Sequence, residues 1–91
     1  MKYVHIGDID KYLETCSLVE RKIALLFLQF KDVLYIKIAN EQIAELTGCS
    51  TRSVTRALRK FVEDKFLLRQ QKAKYARSVY RVNILDKNYL H

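Results

Sequence analysis

The sequence predicts an α+β fold, mainly α, that closes with a C-terminal β-hairpin. Three observations support this. Apolar residues recur at helical spacing in successive stretches between residues 17 and 64. Two strand-like segments follow, at 66–70 and 78–84, the second with Tyr80, Val82 and Ile84 in alternation. Between them lies a basic run with no apolar stripe, Gln71-Lys72-Ala73-Lys74-Tyr75-Ala76-Arg77, which suits a hairpin connection. With 91 residues, 49% of them hydrophobic, the chain is long enough for one folded domain. No proline, low-complexity stretch or internal repeat divides it.

Residues 1–16 carry the weakest pattern and are expected to form an N-terminal arm or short helix. Tyr3, Val4 and Ile6 fit a short strand or docking arm. Asp8 can cap a helical turn bearing Ile9, Tyr12 and Leu13. The domain proper is expected over 17–86. Ser17 and Glu20 have capping-box spacing, so each can satisfy a free backbone donor where a helix begins. Ile23, Leu26, Phe27 and Phe30 then form one apolar stripe facing the core. Leu34, Ile36 and Ile38 alternate with Tyr35 and Lys37, which predicts a strand over 33–38. Asn40 is placed to cap a helix over 41–47. Gly48 tolerates the positive φ that ends a helix and turns the chain. Ser50 is placed to cap a helix over 51–64, with Val54, Leu58 and Phe61 buried. At about 100° per residue, Arg52, Arg56, Arg59 and Lys60 point roughly the other way. Of the two strands that follow, the second has Tyr80, Val82 and Ile84 on one face.

The net charge is +7, and its distribution says more than its size. Residues 51–81 hold ten basic side chains against two acids, a local charge of +8. The remainder holds seven against eight, or −1. Solubility does not require such segregation, whereas a phosphate-binding face does. Among the basic residues of the helix, the spacing pairs Arg59 with Glu63 at i+4, so salt bridging accounts for little of the cluster.

Helix, strand, short helix, glycine turn, basic helix and hairpin is the order of a winged helix-turn-helix. The segment Ile43-Ala44-Glu45-Leu46-Thr47-Gly48-Cys49-Ser50-Thr51-Arg52-Ser53-Val54-Thr55-Arg56-Ala57-Leu58 resembles the DNA-binding domain of the Crp/Fnr family of bacterial transcription regulators. Phe61-Val62-Glu63-Asp64-Lys65-Phe66-Leu67-Leu68 is similar to that family's helix end and first wing strand, and the resemblance spans about residues 17–84. It implies a recognition helix over 51–64 in the major groove and a basic wing over 70–78 on the backbone or minor groove. Thr51, Arg52 and Arg56 would then face base edges. Ser50, Ser53, Thr55, Arg59, Lys60, Lys72, Lys74 and Arg77 would contact phosphates. Arginine bidentate to guanine is the commonest specific pairing, which makes Arg56 the leading base reader. Thr51 and Arg52 stand where the family usually has Arg and Glu. An acceptor for cytosine is thus replaced by a donor, and the preferred DNA sequence should differ. Lys65 stands where many relatives carry Gly, which implies a looser helix exit. With 16 residues before Ser17, no effector-binding β-roll is expected in this chain, and no cofactor.

The expected function is sequence-specific binding of double-stranded DNA by a cytoplasmic transcription regulator. It is expected to act as a homodimer on two half-sites about 34 Å apart, with residues 1–30 the expected dimer surface. A plasmid or phage replication-initiation or partition protein would share this fold and these contacts. An interaction module stacking unpaired bases on Tyr75 and Tyr80 is a third reading. An enzyme is not expected, because no nucleophile elbow, glycine-rich phosphate loop or HExxH motif occurs. Cys16 and Cys49 lack CxxC spacing and read as reduced thiols. With His5 and His91 they form no clustered zinc set. The apolar run over 23–28 is far too short to span a bilayer.

Overall fold

Ser17 starts the first long helix as its spacing requires. Its hydroxyl accepts from the Glu20 amide at 3.2 Å, and its own amide donates to the Glu20 carboxylate at 2.7 Å. In the computed structural model, which describes residues 4–5, 9–33, 35–70 and 79–85, this helix is the second of four. The helices are α1 (Ile9–Glu14), α2 (Leu18–Leu28), α3 (Asn40–Thr47) and α4 (Thr51–Glu63). The strands are β1 (Val4–His5), β2 (Ile36–Lys37), β3 (Leu67–Gln70), β4 (Val79–Val82) and β5 (Ile84–Leu85).

The sequence stripe of α2 is buried through Ile23 and Phe27, joined by Ala24. Phe30 departs from expectation. The helix ends at Leu28, so Phe30 sits in the following turns and is 39% exposed. The strand expected over 33–38 shrinks to Ile36–Lys37, with Val33 and Tyr35 exposed. Among the described residues of that stretch, Ile36 is buried in the core and Ile38 packs half-buried against it. Asn40 is not the cap of α3 but its first residue. Ala39 holds the cap position, and its amide donates to the Gln42 side chain at 3.0 Å. The Asn40 amide instead reaches α4 and donates to the Thr55 hydroxyl at 3.2 Å.

Gly48 ends α3 at φ 73°, the left-handed region that glycine enters without a Cβ clash. Ser50 then caps α4, its hydroxyl accepting from the Ser53 amide at 3.1 Å. At the other end, Lys65 takes φ 64°. The Phe66 amide donates to the Phe61 carbonyl at 2.9 Å, and the Lys65 amide to Val62 at 3.2 Å. Those two bonds make a complete Schellman motif, and the Phe61 and Phe66 rings meet edge-on at 5.2 Å to supply its apolar contact. The exit is therefore as tight as a glycine would make it, contrary to the looser turn expected at Lys65.

β2, β4 and β3 form an antiparallel sheet in that order. Leu67 pairs with Val82, Arg69 with Tyr80 and Gln70 with Val79, while Ile36 pairs with Tyr80 from the other side. Phe27, Ile23, Ile43, Val54, Phe61, Phe66 and Leu67 are almost wholly buried between the helices and this sheet. Each contributes about 1.5–3 kcal/mol of apolar burial. β1 pairs with β5 in parallel. The fold is thus mainly helical with a small three-stranded sheet, a winged-helix-like arrangement. Residues 71–78, which carry the expected wing tip, lie outside the described residues, as does Asp8. No helix among the described residues is long and apolar enough to cross a membrane.

Candidate nucleic-acid interface

α4 is buried along one side by Val54, Ala57, Leu58 and Phe61. Helical geometry at about 100° per residue places Arg52, Arg56 and Arg59 within about 60° of one another on the opposite side. All three are exposed. Among the described residues the one salt bridge is Lys60–Asp64, so no carboxylate holds any of these arginines. Glu63, four residues after Arg59, does not pair with it. α4 also has no acid in its first turn, where one would favour the positive end of the helix dipole. Arg52 sits there instead. The arrangement costs the isolated helix stability and concentrates positive potential at its start.

Thr51 is exposed beside Arg52. Ser50 and Ser53 are tied to each other, hydroxyl to hydroxyl at 3.0 Å, as well as through the cap. The Thr55 hydroxyl donates to the Thr51 carbonyl at 2.9 Å and accepts from Asn40. It anchors α3 on α4 before any ligand arrives.

Lys60 departs from the face expected for it. It lies about 100° round the helix from Arg59. Its ammonium contacts Asp64 at 2.7 Å and rests 5.0 Å above the Tyr12 ring. The Tyr12 hydroxyl donates to the same carboxylate at 2.8 Å. Of the two i, i+4 spacings at the end of α4, Lys60–Asp64 pairs and Arg59–Glu63 does not. Burial alone would raise the Asp64 pKa, but the bonds from Lys60 and Tyr12 outweigh it and hold the carboxyl below its usual range. Tyr12 is pushed well up, first by burial, then by its bond to the charged Asp64. Burial would depress Lys60, yet Asp64 leaves it net raised. The cluster fastens α1 to the end of α4, and Tyr12 also stacks on Phe66 at 5.3 Å.

Lys72, Lys74, Arg77 and Tyr75 lie outside the described residues. Tyr80 is 3% exposed and meets Phe27 edge-on at 5.6 Å, so it is a core side chain and not a platform for unpaired bases. Cys16 is buried, with its thiol pKa raised chiefly by that burial, and Cys49 is half-buried. Neither forms a disulfide. One feature escaped sequence reading altogether. An open cavity of about 350 Å³ lies between α4 and the sheet, with Arg59 and Arg69 on its rim. The signal was the alternation of β3, which puts Arg69 on the same face as Leu67.

No family model matches the chain, and none of the curated proteins does. Its fold is similar to a solved structure of a possible transcriptional regulator from Methanosarcina mazei Go1. That similarity has a TM-score of 0.63 at 18% identity, over 93% of this chain and 69% of the other. The likeness establishes a shared fold.

Proposed function

We propose that this protein is a sequence-specific double-stranded DNA-binding protein that regulates transcription. The observation that carries this reading is the row Arg52, Arg56 and Arg59. It is exposed, held by no carboxylate among the described residues, and set on a helix whose other side is core. α4 enters the major groove, where Thr51, Arg52 and Arg56 meet base edges. Ser50, Ser53 and Arg59 face the backbone, with Lys72, Lys74 and Arg77 adding phosphate contacts from the wing. Thr55 and Lys60 are already bonded within the molecule, so they contribute position and field more than new bonds. The fold shared with a possible transcriptional regulator supports the reading. So does the Crp/Fnr-like pattern over 43–58.

The protein acts in the cytoplasm as a homodimer, the arrangement that lets one recognition helix per subunit read two half-sites. Selection of bound DNA from a random duplex pool near physiological salt tests the reading. The expected product is a symmetric pair of half-sites. A pool that stays random after repeated rounds would remove sequence-specific recognition.

A further inference from the structure

The inner face of the sheet carries one charge that core packing does not explain. In β3, Leu67 and Arg69 point to the same side, and their cross-strand partners Val82 and Tyr80 are both buried. Arg69 and Arg81 are both exposed, but Arg81 lies opposite Leu68 on the outer face of the sheet. Arg69 emerges on the inner face where the core ends, and it lines the 350 Å³ cavity with Arg59 of α4. Leu58, Val62 and Tyr80 line its core side. Asn40 and Thr55, bonded to each other, also line it. Glu63 shares the rim but makes no salt bridge with either arginine.

We propose that Arg59 and Arg69 form a notch for one phosphodiester of the DNA backbone, which makes Arg69 a binding residue at the flank of the recognition helix. This rests on the DNA-binding reading above. Two guanidinium groups on an open concavity suit a phosphate, because each offers a planar fork of donors to its oxygens. The neighbouring Glu63 moderates the site by repelling the same phosphate. A phosphate contact carries no sequence information, so Arg69 sets affinity and register while Arg56 sets specificity.

The test is the anisotropy of labelled duplexes, cognate and scrambled, titrated with the full chain over a salt series. Circular dichroism confirms that each variant folds. Arg69→Ala is expected to weaken binding several-fold on both duplexes and to reduce the log–log salt slope by about one. Arg81→Ala removes the same charge from the opposite face and is expected to leave the slope unchanged. Glu63→Gln is expected to tighten binding to both duplexes. Duplex binding that persists while Arg69→Ala behaves as Arg81→Ala does would overturn the notch and leave the DNA-binding reading intact. Failure of the unaltered protein to hold either duplex at low salt would overturn both.

Discussion

Lys65 holds a backbone conformation that costs a side-chain-bearing residue about 1–2 kcal/mol. Asn83 stabilises that turn, its side chain donating to the Lys65 carbonyl at 2.8 Å and its amide to the Phe66 carbonyl at 2.8 Å. Lys65→Gly should relieve the Cβ clash and raise stability by about 1 kcal/mol, net of the greater freedom glycine gains in the unfolded chain. A higher urea midpoint at unchanged m-value would show it. Gly48 gives the opposite case. A Cβ there meets nothing within 4 Å, so Gly48→Ala should cost only the backbone strain, about 1 kcal/mol, and Gly48→Asn less. A Gly48→Ala loss above about 3 kcal/mol would mean that the turn does more than reverse the chain. Arg56→Ala should cost about 1–3 kcal/mol on the selected site and relax preference at one base pair. Equal discrimination before and after the change would assign base reading elsewhere.

At the scale of the element, α4 was the most legible part of the chain. Its cap, its buried residues and its arginine row follow from spacing alone, because a strongly amphipathic helix has few alternatives. Other elements were less legible for physical reasons. The strand expected over 33–38 has the right alternation, but alternation cannot tell which residues pair with a neighbouring strand, and among the described residues Ile36–Lys37 pair with β4. Ala39 displaced Asn40 as the cap because Gln42 could satisfy the amide from within the helix. The strand period places Arg69 on the Leu67 face, but its pairing with Tyr80 across the sheet depends on a register that spacing does not give. The fastening of α1 to α4 lends itself to a pH test. Asp64 is lowered in the folded state, so its contribution is present above the unfolded carboxylate range near 4 and is lost as pH falls through the folded value. Lys60 and Tyr12 are raised, so theirs is present below about 10 and fades at higher pH. Melting temperatures of Asp64→Asn should therefore vary less with pH than those of the unaltered protein at both extremes. Parallel curves would show that the titration of this cluster is not linked to stability.

At the scale of the whole molecule, the arginine row and the exposed leucines of α2 lie on different helices. The arginine row lies on α4, whereas Leu18 and Leu25, 75% and 52% exposed, lie about 20° apart on the outer side of α2. A second copy of the chain packed along that side would leave both arginine rows open to DNA. Sedimentation of a Leu18→Glu, Leu25→Glu double variant should show a monomer, with affinity lost on paired half-sites and retained on a single one. A dimer that survives the double change would move the subunit contact to another surface.

The parallel pairing of Val4 with Ile84 and His5 with Leu85 joins chain segments about 80 residues apart through two-residue strands. Such a long closure rewards the chain only after β4 has been placed, so it should be among the last contacts to form and the first to open. In native-state hydrogen exchange, the amides that bridge these two strands should trade protons through a local opening. The Val54–Phe61 amides should wait for global unfolding. Equal protection in both sets would mean instead that the two ends of the fold melt as one cooperative unit with α4.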